Sequence, residues 1–107
     1  MFGHLLETFV VQELRRQASW SEHPPAFHHF RDKEGDEVDV VLERGINQLA
    51  GVEIKASSTV TSADFRGLRK LRDGAGKRFV AGVVLYDGET TLRFEGSLYA
   101  VPISALW

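Results

Sequence analysis

Cysteine is absent from the 107-residue chain, which excludes disulfides, thiolate metal sites and a thiol nucleophile, and leans the compartment towards the cytoplasm. Long hydrophobic runs are absent too. No stretch approaches a membrane span, and the first twenty residues carry Glu7 and Glu13 in an amphipathic pattern instead of a signal-peptide core. A basic excess is also missing. The formal net charge is −2, so any nucleic-acid binding has to come from a local patch. Repeats, low-complexity tracts and linkers are lacking. What is present, 43% hydrophobic and 26% charged residues, is the composition of one ordinary globular domain spanning 1–107 with a single core.

The chain is organised around Asp36–Ser58, DEVDVVLERGINQLAGVEIKASS. Residues 37–43 set Val38, Val40 and Leu42 in alternation with polar positions, and residues 52–56 set Val52, Ile54 and Ala56 in alternation with Glu53 and Lys55. Both are the period-2 pattern of a half-buried strand. Arg44–Gln48 carries the Gly and Asn of a hairpin turn. Closing that hairpin around Ile46 places Asp39 across from Glu53, and Glu37 across from Lys55. Opposed like charges are destabilising, so two facing carboxylates need a reason. One reason is a hard divalent cation such as Mg²⁺, which is held by one or two carboxylates and substrate phosphate. The other is a plain solvated sheet face, with Glu37–Lys55 an ion pair worth well under ~1 kcal/mol.

Residues 4–18 have helical periodicity, with Leu6, Phe9, Val10 and Leu14 forming the stripe and Glu7 at its edge. A carboxylate there is either aimed at a partner or serves the positive end of the helix dipole. Ser19–Pro25 is a turn, and 26–31 (AFHHFR) a strand on which His28 and His29 face opposite sides and cannot chelate together. His29 or Arg31 borders the site, or the histidine is a partly buried structural one. Residues 59–74 read as a capped helix ended by Gly74, with Phe65, Leu68 and Leu71 as its apolar face. This helix and its loop hold Arg66, Arg69, Lys70, Lys77 and Arg78, a local basic set able to follow a phosphate backbone, or else a solvated face. Gly74-Ala75-Gly76-Lys77 lacks the spacing of a phosphate-binding loop. FVAGVVLY (79–86) is a strand buried on both faces. Asp87-Gly88 signals a hairpin into 90–95, and Pro102 confines the last strand, 98–103, to an edge.

The order helix, three strands, helix, strand, taken with Glu7, Asp39 and Glu53-Ile54-Lys55, resembles the core of the PD-(D/E)XK nuclease superfamily. That resemblance implies an α/β (α+β) restriction-endonuclease-like αβββαβ core, with a mixed central sheet flanked by helices and a C-terminal hairpin extension. It implies Mg²⁺ or Mn²⁺ on Asp39 and Glu53, with Glu7 from the helix and Lys55 as the catalytic lysine. More narrowly, GHLLETFVVQEL, FRDKEGDEVDVVLE, VEIKASS, DFRGLRKLRD and VVLYDG are similar to the uncharacterised C-terminal domain of prokaryotic AAA-type ATPases. No Walker motif accompanies them, so the chain reads as a separately encoded relative, a truncated product or an excised domain.

The leading expectation is therefore a Mg²⁺-dependent endodeoxyribonuclease, with DNA as substrate and the basic set on its backbone. The rival is a non-catalytic docking or regulatory domain for an AAA-type ATPase. A third reading is a homodimer through the strand near Pro102 and Trp107.

Overall fold

The computed structural model describes residues 2–19 and 23–106, with side chains from Val10 onward. Eight main elements follow in order: helix α1 (Phe2–Ala18), strands β1 (Ala26–Arg31), β2 (Glu37–Arg44) and β3 (Gln48–Lys55), helix α2 (Arg66–Ala75), and strands β4 (Phe79–Tyr86), β5 (Leu92–Glu95) and β6 (Leu98–Pro102). A 3₁₀ turn, Ser62–Phe65, leads into α2, and another, Ile103–Leu106, closes the described chain. The fold is α+β, with a six-stranded mixed sheet in the order β1-β2-β3-β4-β6-β5. Among the described residues no helix is long and apolar enough to cross a membrane.

The sheet has a core on each face, and the alternation of its strands sorts residues between them. Val40, Val52 and Leu85 join Val10 of α1 on one side. Val38, Val41, Val84 and Tyr86 join Phe65, Leu68 and Leu71 on the α2 side. The apolar run 79–86 is thus a strand covered on both faces, running parallel to β3 and β6, and α2 supplies the crossover that parallel pairing requires. Val10 is fully buried and Leu14 packs on the α1 core, in line with the helical stripe; the side chains of Leu6 and Phe9 lie outside the described residues.

Four expectations need correction. The third strand begins at Gln48 instead of Val52, because the turn is only Gly45–Asn47. The second helix forms as a 3₁₀ turn followed by α2, and it runs past Gly74 to stop at Gly76. Gly76 has φ 60°, the left-handed region that glycine enters without a Cβ penalty, and its N–H donates to Arg72 O. Asp87-Gly88 does not turn a β4 hairpin. The Tyr86 hydroxyl donates to Thr90 O and the Asp87 N–H to Ser57 O, and the chain crosses to the far edge to make a β5–β6 hairpin. The strand with Pro102 is consequently internal, lying between β4 and β5. Pro102 is tolerated there because β5 pairs only as far as Ala100. The edge is β5, and Trp107 lies outside the described residues.

Helix α2 approaches β2 at one residue where no side chain fits. A Cβ on Gly67 would lie 2.1 Å from the carbonyl oxygen of Glu37, whereas one on Gly74 would meet nothing within 4 Å. Both glycines lie in α2, so alanine brings a similar gain in helix propensity at each. Gly74→Ala is expected to stabilise the fold by about 0.5–1 kcal/mol. Gly67→Ala is expected to destabilise it by about 3 kcal/mol through the forced backbone shift. Urea unfolding of the two variants beside the wild type checks the opposed signs.

Candidate functional site

Strands β2 and β3 pair from Arg44–Gln48 down to Val40–Val52. Continued by one step, that register sets Asp39 against Glu53, but there the two strands exchange side-chain bonds in place of ladder bonds. The Asp39 N–H donates to Glu53 Oε1 at 2.7 Å, and the Ile54 N–H donates to Asp39 Oδ2 at 2.9 Å. Each carboxylate spends one oxygen on a backbone donor of the opposite strand. Two opposed carboxylates thereby find stabilising donors within the fold, an arrangement that alternation alone does not anticipate.

A bulge in β2 makes this possible. Pairing with β1 shifts between His28–Val41 and Phe30–Val38, so Asp39 and Val40 together oppose His29. Bulges re-aim side chains and occur often beside active sites. The bulge also explains why Val38 and Val41, three apart, are both buried on the α2 side. The signal was present in the sequence as the Val40-Val41 doublet, which breaks strict alternation.

Lys55 lies one alternation beyond Glu53, opposite in facing to Val52 and Ile54, which pack on the α1 side. Its ammonium is 2.5 Å from Asp64 Oδ2. The expected Glu37–Lys55 pair is absent, because the ladder opens before reaching it. Glu37 instead pairs within the β1–β2 ribbon, 3.5 Å from Arg31 Nε and 3.9 Å from His29 Nε2. Burial pushes the Asp64 carboxyl up, but the Lys55 ammonium and the Thr61 N–H outweigh it and hold the group below the usual carboxylate range. His28 and His29 are both about half exposed instead of partly buried, and His28 Nε2 sits 3.1 Å from Glu43. Glu7 belongs to α1, but its side chain lies outside the described residues.

The basic set is largely neutralised by neighbouring carboxylates. Lys70 lies among three of them, 2.8 Å from Asp32, 3.2 Å from Glu34 and 2.6 Å from Asp36. Hydrogen bonds to Asp32 and Asp36 raise its pKa well above the ordinary lysine value, and the same lysine is the main cause of the lowered Asp32 pKa. Lys70 therefore ties the β1–β2 turn to α2. Arg69 donates to Ser62 O at 2.7 Å, lies 5.6 Å from the Phe94 ring centroid and is 3.8 Å from Glu95. Arg78 pairs with Glu43 at 2.6 Å. Of the five, Arg66 and Lys77 are exposed and have no carboxylate partner among the described residues.

As a cation site, the half-buried pair Asp39 and Glu53 offers the hard oxygen donors that Mg²⁺ prefers. Asp39 Oδ1 accepts no hydrogen bond among the described residues. The donor chemistry fits a divalent ion. No group of three or more His, Cys, Asp or Glu placed to hold a metal occurs among the described residues, which leave out the Glu7 side chain.

A family model described as a domain of unknown function, DUF4143, matches residues 2–106. No curated protein matches the chain. In fold it is similar to a chain of the refined half-complex from the tetradecameric assembly of Thermococcus gammatolerans McrB AAA+ hexamers with bound McrC. The TM-score is 0.63 at 15% identity, over 94% of this chain and 27% of that one. The chain thus spans about a quarter of that neighbour's length.

The clasp across the opened ladder gives a test in the metal-free protein. Asp39→Ala orphans the Ile54 N–H and is expected to cost about 1–3 kcal/mol. Asp39→Asn keeps an acceptor oxygen and removes a like charge, so its stability should stay within about 0.5 kcal/mol of wild type. Chemical denaturation in the presence of chelator measures both.

Proposed function

We propose, for a chain that belongs to the DUF4143 family, that it hydrolyses DNA phosphodiester bonds with a divalent cation held by Asp39 and Glu53 in a restriction-endonuclease-like core. The observation that carries this reading is the clasp of the two carboxylates at the bulged, opened end of β2 and β3. The element order helix, three strands, helix, strand, followed by a C-terminal hairpin, supports the same reading.

Asp39 and Glu53 would hold Mg²⁺ or Mn²⁺, with Glu7 of α1 as the third carboxylate. The ion, when bound, supplies Lewis-acid polarisation of the phosphodiester and a lowered pKa for water. The chain's own residues do the rest. Backbone donors on Asp39 and Ile54 fix one oxygen of each carboxylate, and Asp39 Oδ1 stands beside them for a cation. Lys55 brings positive charge to the end of β3, suited to offsetting charge that builds on phosphoryl oxygens. Arg66 and Lys77 provide backbone contacts. Lys70 and Arg78, held by carboxylates, are framework.

A second reading is favoured by the fold shared with a chain of an McrB AAA+ and McrC assembly. In it the domain docks on an AAA-type ATPase and needs no chemistry of its own. Metal and cleavage separate the two.

Mn²⁺ at a hundredfold excess over its dissociation constant should stabilise the wild type by about 2.7 kcal/mol by mass action. Asp39→Asn should abolish that shift together with cleavage of plasmid and branched DNA, and Lys55→Ala should lose cleavage alone. A melting series run beside the cleavage assay decides. A flat metal response with no cleavage in the wild type leaves the docking reading.

DNA affinity should fall steeply with salt, because each phosphate contact releases counterions. Replacing Arg66 and Lys77 together with alanine should flatten the slope of log affinity against log salt by about 2. Lys70→Ala should leave that slope unchanged. Anisotropy titrations at several salt concentrations check the contrast.

A further inference from the structure

Resting on the hydrolase reading, we infer that Asp64 is a positioning residue which holds the Lys55 ammonium at the end of β3. Lysine carries about 2 kcal/mol of rotamer entropy on a flexible four-carbon stem, so a lysine used at a fixed point needs a partner. At Lys55 the sheet offers little restraint. The β2 ladder has ended at Val40–Val52, and only β4 continues alongside, through Lys55–Tyr86.

Asp64 is itself fixed from the other side. Its Oδ2 accepts the Thr61 N–H at 2.7 Å and the Thr61 hydroxyl at 3.3 Å, and its own N–H donates to Thr61 O at 3.0 Å. The next residue, Phe65, is 1% exposed and anchors the turn in the core beneath α2. The Lys55–Asp64 pair is partly sheltered, at 29% and 22% side-chain exposure. A surface ion pair between two mobile side chains is worth little. Here one member is immobilised by a capping turn whose place is set by the core, so the other is steered to it. The capping turn of α2 and the lysine end of β3 therefore move as one unit. Only residues 56–61 separate the lysine strand from the anchoring turn, so the link is short.

The test compares wild type with Asp64→Asn, which keeps an acceptor for the Thr61 N–H but loses the charge, and with Thr61→Ala, which removes only the long hydroxyl contact and keeps both the Thr61 N–H bond that fixes Asp64 and the ion pair. The Lys55 ammonium is observed by ¹⁵N NMR and assigned through Lys55→Ala. In Asp64→Asn its order parameter should fall at least twofold. The cleavage rate constant kcat should fall at least tenfold, while KM and the Mn²⁺ midpoint stay unchanged. Thr61→Ala should move none of these, and Asp64→Glu should recover part of kcat. An unchanged Lys55 order parameter, or kcat within twofold of wild type in Asp64→Asn, overturns the inference. If the wild type cleaves no DNA, the hydrolase reading falls on that result alone, and the NMR comparison still decides whether Asp64 holds Lys55.

Discussion

The structure turns on the point where β2 and β3 stop sharing a backbone ladder. Beyond Val40–Val52 the strands would continue as an ordinary antiparallel pair, except that the extra residue of the β2 bulge opens them. Backbone donors left without carbonyl partners are costly when removed from water, and here two of them are satisfied by carboxylates. Asp39 and Glu53 are thus structural acceptors before they are anything else. This dual character is physically consistent for Asp39: a carboxylate fixed by one oxygen presents its other edge in a defined direction, as a binding site needs.

The opened end is stabilised from the α2 side. Gly67 lets α2 come against the Glu37 carbonyl, Lys70 gathers the three carboxylates of the β1–β2 turn, and Asp64 reaches Lys55. Three contacts from a turn and a ten-residue helix thereby set the relative positions of β1, β2 and β3. In a chain with a formal charge of −2, a concentration of Lys and Arg reads naturally as a surface for a polyanion. Most of it is used internally, because the acidic residues that outnumber it lie close in space although distant in sequence.

Much of the architecture is legible from the chain. Alternation identified β2 and the second half of β3, the apolar run identified a doubly covered β4, and the 68–71 spacing identified the face of α2. Local signals gave out where two segments compete for one neighbour. Asp87-Gly88 has the chemistry of a hairpin turn, but β4 takes β6 as its partner and leaves β5 the edge. Pro102 has the chemistry of an edge residue, but sits buried at the end of an internal strand, paired there with Tyr86 on one side only.

What the sequence determined by itself is the set of elements, the burial of β4 on both faces and the pairing that brings Asp39 opposite Glu53, because these depend on side-chain period and turn length; that the single core expected is divided between the two faces of the sheet emerged only from the structure. What only the tertiary structure decided is which charges meet. Glu37 goes to Arg31, Lys55 to Asp64, Lys70 to Asp32 and Asp36, and Arg78 to Glu43. Ion pairing is non-local and falls off over a few ångströms, so it is set by how α2 lies on the sheet. That placement is set by Phe65, Leu68 and Leu71 in the core and requires the absence of a side chain at Gly67.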